Sequence, residues 1–73
     1  MTLSSMNPGE IATIVSISTD EALHQRLLAM GFRVGKNIEL IRKALFSGPL
    51  QVRIGTTDIL IRKVEAAKIK VKP

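Results

Sequence analysis

Few side chains in this sequence are equipped for chemistry. His24 is the only imidazole, there is no cysteine, and the six acids are scattered. Nucleophilic catalysis needs an activated Ser, Cys or Lys beside a base. His24 lies among apolar residues of a predicted helix, where a surface or half-buried helical residue is the simpler account. Hydrolysis by paired carboxylates needs two acids converging on one bond. The only adjacent pair, Asp20-Glu21, already reads as a helix start. No phosphate loop is present, because Gly31 and Gly35 are followed by neither Lys-Ser/Thr nor a helix. A ferrous site favours a set of His and carboxylate ligands with open positions, which one His and scattered acids do not supply. The reading is a non-enzyme with no catalytic, cofactor-binding or metal-ligating residues.

Binding chemistry remains. The turn Phe46-Ser47-Gly48-Pro49-Leu50 gathers three apolar side chains around a Gly-Pro bend. With Arg33 and Lys43 as a basic rim, Phe46, Pro49 and Leu50 form a candidate anchor for an acidic or amphipathic partner surface. The plainer alternative has Phe46 and Leu50 capping the interior, with only Pro49 exposed. Charge is uneven along the chain. The first 25 residues carry three acids and no base, a net −3. All 11 basic residues follow, with three acids, for a net +8 and the +5 of the whole. Such a stretch fits nucleic acid, an acidic partner or simply a solvated basic face. Single-strand binders stack bases on aromatic platforms. Here there is no Trp or Tyr, and Phe32 and Phe46 are equally suited to a core. No specific nucleic acid is expected.

Several short elements must position these residues. Asn7-Pro8-Gly9 is turn chemistry. Residues 10–18 read as a strand with Ile11, Thr13, Val15 and Ile17 on one face; Ile14 breaks the alternation and predicts a bulge or burial on both faces. Ser18 with Glu21 fits a capping box opening a helix. Leu23, Leu27 and Met30 share its inner face, and Gly31 sits at the left-handed C′ position with Phe32 folding back on Leu27. After a turn at 33–37, residues 38–46 form a strand with Ile38, Leu40, Ala44 and Phe46 on one face, interrupted at Arg42. Leu50, Val52 and Ile54 alternate cleanly. A hairpin turn at 55–58 leads into residues 59–62, a short helical turn covers 63–68, and Ile69 and Val71 close the chain with Lys68, Lys70 and Lys72 outward.

With 73 residues the chain is read as one domain, 1–73. A chain this short buries only roughly 60% of its unfolded surface, and without cysteine it has no disulfide to reinforce it. No signal peptide is visible, and no apolar stretch approaches the roughly 18 residues of a membrane span. A cytoplasmic location is expected, with any membrane role exercised through a partner. About five strands and one helix in so short a chain protect their edges best by closing into a barrel. The expected class is mainly β: a small SH3-like barrel with the helix between the first and second strands. An OB barrel, usually longer and with its helix between the third and fourth strands, is the alternative.

The order of these pieces resembles the FeoA family. Arg26-Leu27-Leu28-Ala29-Met30-Gly31-Phe32 followed by Gly35 is similar to that family's Arg-Leu, Met-Gly-apolar, Pro-Gly pattern. Pro8-Gly9 fits its opening. The segment from Ala44 to Leu50 resembles its Ala-Pro-x-Gly-x-Pro turn. Ile59-Leu60-Ile61-Arg62 with Ala66, Ile69 and Val71 fits its close. Val34 and Leu45 stand where proline is usual, which loosens two turns without removing chemistry. The same module resembles the C-terminal SH3-like domain of iron-dependent repressors, here without a preceding DNA-reading unit. The resemblance implies a cytosolic accessory protein of bacterial ferrous-iron uptake. Its implied partner is FeoB, a membrane transporter with a cytosolic GTP-binding domain; the 46–50 turn is the candidate contact from its own side-chain chemistry. A basic small-barrel nucleic-acid or transcription-related module is the alternative function.

Overall fold

The computed structural model describes residues 1–73. Its elements are a 3₁₀ turn Leu3–Ser5, strand β1 Ile11–Ile17, helix α1 Glu21–Ala29, strands β2 Asn37–Lys43, β3 Leu50–Ile54 and β4 Thr57–Ile61, the one-turn helix α2 Lys63–Ala66, and strand β5 Ile69–Lys72. The strands form one antiparallel sheet in the order β4-β3-β2-β1-β5. The helix falls between the first two strands, as expected.

Helix α1 is framed by local chemistry. Asp20 is the N-cap, its Oδ1 accepting the Leu23 N–H at 2.8 Å. This replaces the expected Ser18–Glu21 capping box. The helix opens at Glu21, one residue after Asp20, and the Ser18 N–H is already bonded to the Lys68 carbonyl. At the other end the Phe32 N–H reaches the Leu27 carbonyl and the Gly31 N–H the Leu28 carbonyl, both at 3.0 Å. That is the Schellman pattern. It requires Gly31 at φ +102°, where a side chain would be strained. Phe32 and Leu27 are both fully buried.

The inner face of β1 is not the one the alternation indicated. Ala12 and Ile14 are buried, while Ile11 is 61% exposed and Val15 is exposed as well. Register explains it. Ala12 pairs with Ile38 and Ile14 with Val71, both core residues, whereas Ile11 pairs with Glu39 on the outer face. A bulge between Ile14 and Ser16 then re-aims the strand, so that Ile17 also packs against the core. A second bulge, between Leu40 and Arg42, falls where Arg42 interrupts the pattern of β2. Strands β3 and β5 follow their alternation: Leu50, Val52, Ile69 and Val71 are buried.

The chain start was unassigned from sequence and proves structural. Thr2 bridges Lys70, and the Val71 N–H donates to the Met1 carbonyl, so the outer edge of β5 is covered. The chain then turns through Leu3–Ser5 onto α2. Leu3 and Met6 are fully buried. The core comprises 14 residues, all apolar, with no buried polar or charged residue among them.

Two surface pairs brace this frame. Arg26 on α1 bonds Glu65 on α2. Across β3 and β4, Arg53 grips both oxygens of Asp58, at 2.6 and 3.1 Å. The Arg53 hydrogen bond holds the Asp58 carboxyl below its ordinary range, against partial desolvation, with Gln51 assisting; Arg53 is raised in return.

Two predictions follow from these contacts. A Cβ at position 31 meets nothing within 4 Å, so Gly31→Ala isolates the backbone strain. It is expected to cost about 1–2 kcal/mol in thermal or urea unfolding, and an unchanged melt would refute the cap. Asp58 is depressed in the fold, so its stabilisation is present above the unfolded carboxylate range and lost as pH falls through the lower folded value. Asp58→Asn is therefore expected to melt slightly below the parent at neutral pH and together with it in strong acid. A gap that persists in acid would show that the charge is not its cause.

Candidate functional site

Strand β2 ends at Lys43, short of the expected residue 46. The Ala44 N–H donates to the Pro49 carbonyl at 3.0 Å, and the Gly48 N–H to the Leu45 carbonyl at 3.2 Å. The chain thus reverses in a tight turn whose central residues, Phe46 and Ser47, have φ of +56° and +61°. Two positive φ values define a type I′ turn, which Asn-Gly normally occupies. Gly48 is required for a different reason. A Cβ there would lie 2.6 Å from the Ala44 Cβ and 3.1 Å from the Leu45 carbonyl.

This geometry sorts the sequence-predicted site residues. Phe46 is 99% exposed and Leu45 81%, and Pro49 is exposed too. Neither Ala44 nor Phe46 joins the interior, so the expected inner face of β2 stops at Leu40. Leu50 is a correction: it is 1% exposed and belongs to the core. The reason is register, since Leu50 begins β3 opposite Lys43 and Ile61, with its side chain on the inner face. Arg33 is a second correction. It precedes β2 and the turn follows it, so the seven-residue strand separates them by roughly 20 Å. Lys43 is adjacent to the turn, but its Nζ is committed to the Ser4 carbonyl at 3.0 Å. What the structure brings together instead is the turn and α2. Ser4, Ser47, Gly48 and Pro49 face Arg62, Lys63, Val64 and Ala67 across an open cleft of about 550 Å³. Val64, more than a dozen residues away in sequence, is exposed there. Its one legible signal was the single large apolar residue in the KVEAAK segment.

His24 is half-buried on α1, and no three His, Asp or Glu side chains converge on a common point. No helix is long and apolar enough to cross a membrane. At the other end of the strands a smaller hollow of about 200 Å³ lies beside Ile11 and the Glu39–Arg53 row.

A five-stranded antiparallel barrel with a helix between its first two strands and an exposed apolar turn is an SH3-like small barrel. The description FeoA domain matches residues 1–73, and the chain belongs to the FeoA family, accessory proteins of ferrous-iron transport. It is 34% identical over 71 residues to an Fe(2+) transport protein A of Campylobacter jejuni, covering 97% of this chain and 96% of that one. It is 35% identical over 72 residues to a protein of Porphyromonas gingivalis in which Fe(2+) transport protein A is fused to the Fe(2+) transporter FeoB. That match covers 99% of this chain and 8% of the fusion. The crystal structure of Stenotrophomonas maltophilia FeoA, a zinc complex described as a procaryotic SH3 domain protein, superimposes with a TM-score of 0.85 at 29% identity. There the overlap covers 99% of this chain and 89% of the other.

The turn yields a prediction that separates its exposed residues from its buried one. Phe46→Asn with Ser47→Gly removes two strained side chains and no buried surface. It is expected to raise stability by about 1–2 kcal/mol. Leu50→Ala is expected to lower it by about 2–5 kcal/mol as a core cavity. Equilibrium unfolding in urea measures both, and a destabilised Phe46/Ser47 variant would show that Phe46 is packed after all.

Proposed function

We propose that the chain regulates ferrous-iron uptake from the cytoplasm by contacting the cytosolic GTP-binding part of an FeoB transporter. The observation that carries this reading is the Porphyromonas gingivalis fusion, whose FeoA-type part aligns with 99% of this chain. Joining two domains on one polypeptide raises their effective concentration to about the millimolar range, which serves domains that act on one another. A contact of this kind regulates only if it prefers one state of the transporter, since a ligand shifts an equilibrium by its differential affinity and no further. Iron is then the cargo of the partner. In this chain no His and carboxylate cluster is available to carry it.

The 44–49 turn is the part of the surface best suited to the contact. Interfaces concentrate their energy in a few apolar anchors within a polar rim, and Phe46 and Pro49 are such anchors. Basic charge alone also fits nucleic acid, but Phe32 is buried and Phe46 is the single exposed aromatic, which leaves no row of rings for stacked bases.

The test has two parts. Ferrous-iron uptake is measured in FeoB-bearing cells with and without this protein, and the purified chain is offered to the isolated cytosolic part of FeoB in a pull-down. Uptake is expected to change on deletion, and the two proteins are expected to associate. Unchanged uptake with no association would overturn the reading. Tight binding of a defined DNA or RNA at physiological salt would put the nucleic-acid module in its place.

A further inference from the structure

The cleft beside the turn combines features that the turn alone does not have. Its two walls come from different parts of the chain. Ser47, Gly48 and Pro49 form one, and Arg62, Lys63, Val64 and Ala67 of the α2 region form the other. At about 550 Å³ it lies within the range of ligand-sized clefts. Leu45 and Phe46, exposed, immediately precede the Ser47–Pro49 wall in the same turn, and Val64 is 69% exposed on α2. The two-residue hairpin turn sets the left-handed backbone at Phe46 and Ser47, where Asn-Gly would be relaxed; the bulky Phe46 there buries nothing. A bulky apolar residue kept at such a position without burial is a group available for contact.

Charge selects the occupant. Arg62 and Lys63 line the cleft, and no acid does. The one acid on α2, Glu65, is bonded to Arg26 of α1. Glu39 and Asp58 lie four residues further back along their strands, in the Arg53 row. We propose that this cleft docks a short segment of a protein partner that carries apolar side chains and carboxylates together, an acidic amphipathic segment. The proposal rests on the reading that the chain acts by contact with FeoB, and it supplies the surface and the chemistry which that reading leaves open. Apolar side chains from the segment enter between Pro49 and Val64 beside Phe46, and its carboxylates meet Arg62 and Lys63. A lipid surface would use the protruding Leu45-Phe46 tip but has no use for a walled cleft. The walls favour a polypeptide segment.

Two probes keep the cleft and the partner separately testable. The first is 8-anilinonaphthalene-1-sulfonate, an apolar anion, titrated into the full chain and followed by amide NMR shifts. The expected shifts fall on Ser47, Gly48, Lys63, Val64 and Ala67. Shifts elsewhere, or none, overturn the cleft whatever FeoB does. The second is the isolated cytosolic part of FeoB, with binding measured for the parent, Val64→Asp, the pair Arg62→Glu and Lys63→Glu, and Leu60→Ser. Leu60 is exposed on β4 outside the cleft and serves as the control. The cleft variants, confirmed folded by circular dichroism melts, are expected to bind on the order of tenfold more weakly or worse, with Leu60→Ser close to the parent. Parental binding by folded cleft variants overturns the cleft and leaves the FeoB reading standing. Absence of parental binding with the dye still mapped to the cleft overturns the FeoB reading and supports the cleft. Phe46-dependent binding to phosphatidylglycerol vesicles, without binding to FeoB, replaces the protein segment with lipid.

Discussion

Burial of a wholly apolar core inside a closing sheet is the interaction on which everything else in this molecule depends. A 73-residue chain with no cysteine has no disulfide to limit its unfolded state. Stability rests on side chains such as Phe32, Ile14, Leu40 and Ile69, all fully buried. A small open sheet would leave such residues wet on one side. The barrel covers them with two short elements, the Leu3–Ser5 turn and α2, which pack on each other. The first residues also occupy the outer edge of β5, so one end of the sheet is covered by the chain's own start.

The same constraint decides where binding chemistry is free to sit. With a core of 14 apolar side chains, no charged residue is buried in the fold, and recognition is left to segments where the chain leaves the barrel. The 44–49 turn is such a segment. Gly48 packs its backbone against Ala44 too closely for any side chain, and that close approach accompanies the left-handed pair before it. Phe46 points to solvent because the turn closes beneath it, while Leu50, four residues on, is already in the core. An apolar tip and an apolar interior thus lie within one short stretch, kept apart by the turn geometry.

Surface electrostatics extend this division. Arg26, in the segment that resembles the family pattern, bonds Glu65 and so links α1 to α2. An exposed pair of this kind adds little stability. Its larger consequence is positional, because it leaves Arg62 and Lys63 as the charges that line the cleft. Arg53 and Asp58 neutralise each other on β3 and β4. Beside the exposed apolar turn, Arg62 and Lys63 line the cleft with no acid among its lining residues.

By itself the sequence determined whatever depends on near neighbours. The end of α1 was legible because a Schellman motif is written in six consecutive residues, and Gly31 and Phe32 have no other local use. The alternations of β3 and β5 were legible because nothing interrupts them. The number of strands and the helix position followed, and with them the SH3-like class. Only the tertiary structure decided what depends on pairing across the chain. A one-residue change of register exchanges the faces of a strand, so pairing with Ile38 and Val71 put Ala12 and Ile14 inside β1 and Ile11 outside. The burial of Leu3 and Met6 depends on β5 and α2, which lie at the far end of the sequence. For the candidate site, the exposure of Pro49 could be read from a Gly-Pro bend, but Phe46 and Leu50 could each be core or surface until the turn geometry and the partners Lys43 and Ile61 separated them. Arg33 looked near in sequence and is a strand's length away. Val64, Arg62 and Lys63 looked distant and form the facing wall, because antiparallel pairing of β3 with β4 returns the chain to the end of the barrel where the turn sits.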